Sequence, residues 1–247
     1  MNKASIKGAP EDINPQLTKD FVSFMKRKST SKNYQVKVKI GDQDIPVEVF
    51  PTVFPPRSDY SVSSKSVFET FGNLKGLEVA DIGSGSGIES IVAVLAGAKH
   101  VDAADINKQA VSCSKYNVKA NNLQNKIKVF YSDIFKNFPK KKYDLVIANL
   151  PIVNFKAKDN TINGALYDNN FEIHKRLFLE ARKFLTKKGL ITFTHANLQS
   201  GGTSEKNYDF KVLEELINDY GYKIVEKKER KDLGYSWINY KIKPLDI

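Results

Sequence analysis

The chain has 247 residues, of which 41% are hydrophobic, 11% aromatic and 27% charged. This length suits one full-sized α/β domain with a modest extension and excludes two large domains. No run of about 18 apolar residues is present, so we expect no membrane-spanning helix, and the N-terminus lacks the apolar core of a signal peptide. The single cysteine, Cys113, excludes an intrachain disulfide framework and is typical of a reducing compartment, so we expect a cytoplasmic protein.

The formal net charge of +11 raises the question of a nucleic-acid partner. Only five of the 39 basic residues are arginine, and the other 34 are scattered lysines. Proteins that read bases and phosphates favour arginine because its planar fork binds two acceptors at once. A solvated lysine surface is therefore favoured over an RNA-facing patch, and both interpretations stay open.

The first part of the chain predicts small, separate elements. Apolar residues at helical spacing predict a short amphipathic helix over residues 16–28. Alternating apolar and polar residues predict a β-hairpin, and a proline-rich connector leads into a second helix; these elements cover residues 34–40, 45–49 and 63–71. We place an N-terminal extension at residues 1–58 and the main domain at 59–247. The extension has three candidate roles: a lid, a recognition module or a homodimer contact.

From residue 75 onward, strand and helix patterns alternate, which is typical of a doubly wound parallel sheet. The predicted strands cover residues 78–82, 100–105, 127–131, 143–148, 190–195, 222–228 and 236–242. The predicted helices cover 88–96, 108–121, 171–185 and 210–220, and Gly189 is the predicted stop of the third. A short charged loop joins the last two strands, which predicts antiparallel pairing. The fold class is therefore α/β, with a seven-stranded, mostly parallel sheet.

The most informative motif is Val79–Gly87, where a short apolar strand carrying Asp81 is followed by three alternating glycines, Gly83, Gly85 and Gly87. Glycine at these places lets the chain turn sharply and lets a ligand lie against bare backbone. The dinucleotide fingerprint Gly-x-Gly-x-x-Gly would need glycine where the chain has Ile88. A carboxylate beside this turn tends to repel a pyrophosphate and favours a ligand with a cationic amine and a sulfonium.

This run resembles motif I of the class I S-adenosylmethionine-dependent methyltransferases. The resemblance implies their Rossmann-like fold and implies S-adenosylmethionine as the cofactor. It also implies that the amino acid portion of the cofactor is held by Asp81 and by the loop residues Gly83, Ser84, Gly85 and Gly87.

Two further acids follow strand ends at the same edge of the predicted sheet. Asp105 ends the second strand, and with Ile106 it is similar to the family's ribose-binding segment. Asp133 follows the third strand, and with Ile134 it stands where the family binds the adenine ring. Asp102 competes with Asp105 but lies inside the strand, so we expect it to face a neighbouring element. Taken alone, each acid is equally well explained as a helix cap or a solvated loop residue.

The fourth strand ends in Asn149-Leu150-Pro151-Ile152, which resembles the Asn/Asp-Pro-Pro-aromatic signature of amino-group methyltransferases in the small methyltransferase domain group. The resemblance implies that Asn149, bordering the cofactor, and the carbonyl beside it accept both protons of a planar NH2 group. It implies that Pro151 rigidifies this loop. Leu150 replaces the first proline, and Ile152 replaces the aromatic residue that would stack on a base. A plain turn at a strand end is the alternative interpretation.

The sequence therefore predicts methyl transfer from S-adenosylmethionine to a nitrogen. The acceptor stays open between a protein or peptide amide, an RNA base and a small metabolite. Candidate substrate contacts, which equally suit structural roles, are Tyr60, Ile152, Tyr167 and His195. No metal site is expected, because no His, Cys and acid cluster has ligand spacing. The alternative functions are a nicotinamide-dependent oxidoreductase and a non-catalytic, RNA-binding relative of the fold.

Overall fold

The computed structural model describes residues 32–56, 63–154, 162–197, 207–232 and 235–245. In these ranges the strands are β1 Tyr34–Ile40, β2 Gln43–Val49, β3 Glu78–Ile82, β4 His100–Asp105, β5 Ile127–Tyr131, β6 Tyr143–Ala148, β7 Leu185–Ala196, β8 Tyr222–Asp232 and β9 Tyr235–Pro244. The α-helices are α1 Ser63–Phe68, α2 Ile88–Leu95, α3 Lys108–Ala120, α4 Glu172–Ala181 and α5 Tyr208–Asp219. The helix predicted over residues 16–28 lies outside the described residues, as does Tyr60.

Seven strands form one sheet in the order β5-β4-β3-β6-β7-β9-β8. Strand β9 pairs antiparallel with β7 and β8, and the other neighbouring pairs are parallel. The chain runs outward from β3 to β5 and then returns to place β6 on the other side of β3. This reversal creates a topological switch point between β3 and β6, where ligands bind in open α/β sheets. The predicted fold class is confirmed.

Helices cover both faces of the sheet, which explains why its central strands are buried on both sides. On one face, α4 and α5 pack against β7 and β9 through a cluster that includes Leu177, Phe178, Leu213, Phe193 and Tyr240. On the other face, α1, α2, α3 and the hairpin share a second cluster that includes Val67, Ile91, Val118, Ile45 and Val47. In the described ranges, no helix is both long and apolar enough to cross a membrane.

The predicted hairpin is present, with β1 and β2 paired antiparallel, and Asn117 of α3 fastens it to the rest of the fold. Asn117 Nδ2 donates to the carbonyls of Glu48 at 2.8 Å and Ser86 at 2.9 Å, and its Oδ1 accepts from the Glu48 amide at 2.8 Å. Because Ser86 lies between β3 and α2, one buried side chain ties the hairpin to the glycine-rich turn. The domain boundary between residues 58 and 59 stays a prediction.

The prediction was wrong for the segment between α4 and β7. The helix ends at Ala181 rather than at residue 185, and Gly189 lies inside β7 instead of ending the helix. The pairing of β6 with β7 shifts register just after Tyr143, beside this glycine. A Cβ on Gly189 would lie 2.9 Å from the Tyr143 carbonyl oxygen. Glycine is therefore required because two backbones approach each other closely here. From a single sequence, a glycine with this role looks the same as a glycine that ends a helix.

The last two strands pair antiparallel as predicted, but they are longer than predicted, and the charged residues expected in their loop lie within β8. Arg230, one of these residues, lies 2.9 Å from Glu69, and Glu226 of the same strand lies 2.8 Å from Lys241 of β9. Such pairs stabilise a charged edge strand. A strand of this kind cannot be predicted from the alternation of apolar and polar residues.

Replacement of Gly189 by alanine is expected to destabilise the fold by about 1–3 kcal/mol, because the added Cβ meets backbone atoms that cannot rotate aside. Equilibrium urea unfolding measures this change. Gly164→Ala is the matched control, since a Cβ on the exposed Gly164 has no atom within 4 Å. Equal midpoints for the two variants would contradict the packing role of Gly189.

Candidate functional site

The glycine loop, defined as Gly83–Gly87, joins β3 to α2 at the switch point. Its first two amides both donate to the Ala104 carbonyl of β4, at 2.8 and 2.9 Å. Its three glycines have φ values of 76°, 53° and 84°, in the left-handed region. A Cβ on Gly87 would also lie 2.5 Å from Ser114 Oγ of α3. Backbone conformation and the close approach of α3 thus both explain the glycines.

Asp81 of β3 lies at the base of the glycine loop and is 1% exposed. Ser90 Oγ donates to its Oδ2 at 2.5 Å. Burial, followed by the nearby Glu89 carboxyl, raises the pKa of Asp81 to about 8. No cationic side chain of the described residues opposes this rise in pKa. The buried Asp81 carboxyl therefore favours a ligand that brings a positive charge.

Asp105 ends β4 beside the glycine loop and is bonded to it. Its Oδ2 accepts from the Gly85 amide at 2.9 Å, and its Oδ1 accepts from the Asn107 amide at 2.8 Å. Burial raises the pKa of Asp105. Each carboxylate oxygen keeps a second lone pair, so the side chain can also accept from hydroxyl groups. The adjacent Ile106 is 60% exposed and adds an apolar surface.

Asp133 and Ile134 follow β5 at the same edge of the sheet. Arg176 of α4 donates to Asp133 Oδ1 at 3.0 Å. Ile134 is buried with a φ of 50°, and Ser132 Oγ donates to its carbonyl at 2.9 Å. The structure thus adds a cation, Arg176, to the acid and the apolar side chain that the sequence analysis placed here.

Asp102, the competitor of Asp105, faces away from this edge. Its Oδ2 accepts from the Tyr143 hydroxyl at 2.9 Å and pairs with Lys141 Nζ at 2.6 Å. The expectation that Asp102 contacts a neighbouring element is confirmed.

Asn149 stands one residue beyond the Ile82–Ala148 pair that joins β3 to β6. Its Nδ2 donates to Glu89 Oε1 at 2.8 Å and to Ser64 Oγ at 3.2 Å. Ser64 Oγ in turn donates to the same Glu89 oxygen at 2.7 Å. Glu89 is 4% exposed, and burial raises its pKa. The three side chains form a closed hydrogen-bonded set at the end of β6.

The residues after Asn149 remain close to the glycine loop. Leu150 is buried, and its Cδ2 would lie 3.5 Å from a Cβ on Gly83. This contact gives Leu150 a packing role where the signature has proline. Pro151 and Ile152 are half-buried.

The segment that carries Tyr167 is paired to the backbone just beyond this turn. The Val153 amide donates to the Leu166 carbonyl at 2.9 Å, and the Asp168 amide donates to the Val153 carbonyl at 2.8 Å. The backbone of Tyr167 therefore lies beside the Asn149 turn, and its side chain is half-buried.

His195 is not brought together with Asn149. Its ring lies 5.5 Å from that of His174, on the α4 face of the sheet, whereas Asn149 contacts α1 and α2. Burial, followed by His174, lowers the pKa of His195 to about 3, so the ring is neutral and its Nδ1–H donates to the Ala196 carbonyl at 2.9 Å. His174 Nδ1 lies 2.6 Å from Asp168 Oδ2. A substrate contact by His195 stays a prediction.

Two members of the site, Glu89 and Ser64, were not predicted from the sequence. Glu89 did leave a signal, because it is the single charged residue of α2 and every residue of this helix from Ile88 to Val94 is buried. A buried acid on an otherwise apolar helix requires polar partners. Ser64 left no signal, since it joins the site only through the packing of α1 beside α2.

The residues at this edge suit a ligand that carries a positive charge and hydroxyl groups. Among the described residues Asp81 has no compensating cation, and each oxygen of Asp105 has a lone pair left after the hydrogen bond that it accepts. Ser84 Oγ is buried without a hydrogen-bond partner among the described residues, so it is available to a bound molecule. The described part of the chain contains no cluster of three metal-ligating side chains.

A doubly wound sheet with a glycine loop and acids at its strand ends is typical of α/β proteins that bind a nucleotide-containing cofactor at the switch point. A family model described as the methyltransferase small domain matches residues 50–226. The chain therefore belongs to this family, and it is a class I S-adenosylmethionine-dependent methyltransferase. Membership decides against the nicotinamide-dependent alternative.

Similar sequences include methyltransferases that act on proteins. A protein of Methanocaldococcus jannaschii, proposed to be a protein N5-glutamine methyltransferase, is 32% identical over 169 residues, which cover 66% of this chain and 80% of that protein. The ribosomal protein L11 methyltransferase of Caldanaerobacter subterraneus is 45% identical over 75 residues, which cover 30% of this chain and 24% of that protein.

Similar solved structures include protein and RNA methyltransferases. The ribosomal protein L11 methylase of Lactobacillus delbrueckii has a TM-score of 0.58 at 22% identity, over 80% of this chain and 84% of that one. The tRNA m1G37 methyltransferase of M. jannaschii has a TM-score of 0.59 at 20% identity, over 88% of this chain and 56% of that one. At these identities the structures show the fold alone.

The raised pKa of Asp81 predicts that cofactor binding releases a proton. At pH 6.5 this carboxyl, with its pKa of about 8, is mostly protonated, whereas an α-amino group near pKa 7.7–8.0 already carries its charge. A bound ammonium lowers the pKa of Asp81, so we expect S-adenosylhomocysteine to release about 0.5–1 proton at pH 6.5. Calorimetry in buffers of different ionisation enthalpy measures this number. Asp81→Asn should reduce the release by at least half, and unchanged release would assign it to another group.

Proposed function

We propose that the chain transfers a methyl group from S-adenosylmethionine to the nitrogen of a primary amide in a protein or peptide. The observation that carries this proposal is the placement of Asn149. It stands at the switch point beside the glycine loop, with both hydrogens of its Nδ2 engaged by Glu89 and Ser64. Within the part of the chain that the structure describes, its Oδ1 accepts no hydrogen bond. This oxygen is therefore available to an N–H group of an acceptor.

The proposed cofactor contacts follow the positions along the strand ends. When bound, the cofactor supplies an electrophilic methyl group on a sulfonium. Asp81 and the backbone of Gly83–Gly87 would hold its amino acid portion, and Asp105 would hold its ribose. The adenine ring would lie against Ile106, Asp133 and Ile134.

The chain's own contribution to the reaction is the orientation of the acceptor. Asn149 Oδ1 accepts one N–H of the acceptor, and the carbonyl beside it accepts the other. Holding both hydrogens weakens the conjugation of the nitrogen lone pair and aims it out of the amide plane. The same two oxygens stabilise the positive charge that develops on the nitrogen. Pro151 limits the conformations of this turn, so the two acceptors keep their positions.

Three observations favour an amide acceptor over an RNA base. The relative from M. jannaschii is proposed to methylate glutamine in proteins. Ile152 offers an apolar wall without the π face on which a base would stack. Several basic side chains on β8 and β9 are paired with acids, among them Lys227 with Glu214 and Lys241 with Glu226. We infer that the net positive charge is largely a solvated surface.

Transfer of tritiated methyl groups tests the proposed acceptor. The purified protein is incubated with labelled S-adenosylmethionine and a fractionated cell extract, and label is measured in protein, RNA and small molecules. The proposal expects label in protein, recovered as N-methylglutamine or N-methylasparagine after exhaustive protease digestion. Label confined to RNA would overturn it in favour of a base amine. Absence of transfer, with intact binding of S-adenosylhomocysteine, would support the non-catalytic relative.

Asn149→Ala is expected to lower kcat by about 100-fold or more, because the substitution removes an acceptor aimed at the reacting nitrogen. The Kd for S-adenosylhomocysteine should change by less than about threefold. Steady-state kinetics and calorimetry measure the two quantities. Asn218→Ala on the exposed face of α5 is the matched control and should change neither. Unchanged kcat in Asn149→Ala would reduce the Asn149 turn to a structural element.

A further inference from the structure

Glu89 is a buried carboxyl that the proposed function does not place against the cofactor or the acceptor. It is 4% exposed, and its Oε1 accepts two hydrogen bonds, from Ser64 Oγ at 2.7 Å and from Asn149 Nδ2 at 2.8 Å. Burying a carboxyl is costly unless polar groups compensate it. A helix as apolar as α2 would lose nothing in packing from an apolar residue here. The presence of an acid at this position is therefore explained by its two hydrogen bonds.

The first contact determines which way the Asn149 carboxamide points. An amide nitrogen donates and an amide oxygen accepts, and an ionised carboxylate, the form of Glu89 that its two hydrogen bonds favour, accepts only. Rotation of the carboxamide by half a turn would place Oδ1 against Glu89 Oε1, with two acceptors opposed. Glu89 thus selects the orientation in which Nδ2 faces the helix and Oδ1 faces away.

The second contact, between Ser64 and Glu89, fixes the direction of the hydrogen bond between Ser64 and Asn149. A serine hydroxyl can donate or accept, so Ser64 alone would tolerate either orientation of the Asn149 carboxamide. Because Ser64 Oγ donates its hydrogen to Glu89, it has only lone pairs to offer to Asn149 Nδ2, which lies 3.2 Å away. Glu89 therefore sets the direction of every hydrogen bond in the set.

We propose that Glu89 is a positioning residue that holds the Asn149 carboxamide with Oδ1 directed toward the acceptor nitrogen. This proposal rests on the proposed function for the role of Asn149 Oδ1 in the reaction. The orientation of the carboxamide follows from the hydrogen bonds alone. Ser64 contributes as the link that Glu89 directs.

A direct role in holding the cofactor is the competing explanation, because Glu89 also lies near Asp81, whose pKa it raises. The two roles differ in what a variant loses. A cofactor contact would cost affinity for S-adenosylmethionine, whereas a positioning role costs turnover and leaves affinity in place.

The experiment compares Glu89→Leu with Glu89→Gln in the full chain. Leucine keeps much of the side-chain volume and removes the acceptor, whereas glutamine keeps one acceptor oxygen. We expect kcat to fall about 10–100-fold in Glu89→Leu and by a smaller factor in Glu89→Gln, because the glutamine oxygen still accepts from Nδ2 whereas its NH2 group also permits the opposite orientation. The Kd for S-adenosylhomocysteine and for S-adenosylmethionine should change less than about threefold in both variants. A loss of affinity above about tenfold in both would overturn the proposal in favour of a cofactor contact.

A spectroscopic readout tests orientation without turnover. The side-chain amide signals of Asn149, assigned by their loss in Asn149→Ala, report hydrogen exchange at Nδ2 in the complex with S-adenosylhomocysteine. Exchange should rise at least about tenfold in Glu89→Leu and much less in Glu89→Gln. Equal protection in wild type and Glu89→Leu would overturn the proposal even if the variant is inactive.

A double-variant cycle separates this inference from the proposed function. If Glu89 acts through Asn149, Glu89→Leu lowers kcat no further in the Asn149→Ala background. Additive losses would overturn the positioning role while leaving the proposed function intact. If Asn149→Ala has wild-type kcat, the proposed function fails, and the exchange measurement still decides whether Glu89 orients the carboxamide.

Discussion

The burial of two neighbouring carboxyls at the switch point is the constraint around which this site is organised. Asp81 and Glu89 are both almost inaccessible to solvent, and burial raises the pKa of each. The fold offers them hydroxyl and amide donors, from Ser90, Ser64 and Asn149, but no cation among the described residues. Hydrogen bonds alone leave charged carboxylates undercompensated. A cationic ligand beside Asp81 would offset part of this imbalance, so the burial of Asp81 favours binding of a sulfonium cofactor.

The position of these carboxyls depends on a rigid frame of neutral hydrogen bonds. The glycine loop is fixed to β4 through the Ala104 carbonyl and to α3 through Asn117, which also holds the hairpin strand β2. Asn107, the residue just before α3, caps the start of that helix. Its Nδ2 also donates to the Thr52 carbonyl, just after the hairpin. The hairpin therefore cannot shift without disturbing the loop or the start of α3. Whatever role the N-terminal extension has, its strands are fixed to the glycine loop and to α3.

The strands near the site could be predicted well from sequence, because β3, β4 and β6 are short, mostly buried segments and β5 is rich in β-branched and aromatic residues. The bounds of β3, β4, β5 and β6 agree with the predicted ones, and their ends bring Asp81, Asp105, Asp133 and Asn149 to one edge. The topology alone accounts for this convergence.

The remaining features required tertiary contacts that a single sequence does not display. Gly189 is needed because β7 passes close to the Tyr143 carbonyl. From the local sequence pattern alone, the same glycine is predicted to end a helix. Ser64 reaches Asn149 from a helix 85 positions earlier in the chain. Glu89 was visible as an acid on an apolar helix, but its partner could be found only in three dimensions. The roles of Gly189, Ser64 and Glu89 could not be predicted for the same reason: each depends on a residue that a neighbouring helix or strand brings close in the fold.

The hydrogen-bond character of the site also limits what the acceptor can be. On the proposed function, the acceptor nitrogen meets only acceptors, namely Asn149 Oδ1 and the carbonyl beside it. A group with two N–H bonds satisfies both, whereas a ring nitrogen with one N–H or none leaves a buried carbonyl unpaired, which is strongly disfavoured. The tRNA m1G37 methyltransferase that shares this fold acts on such a ring nitrogen, so likeness of fold does not extend to the acceptor.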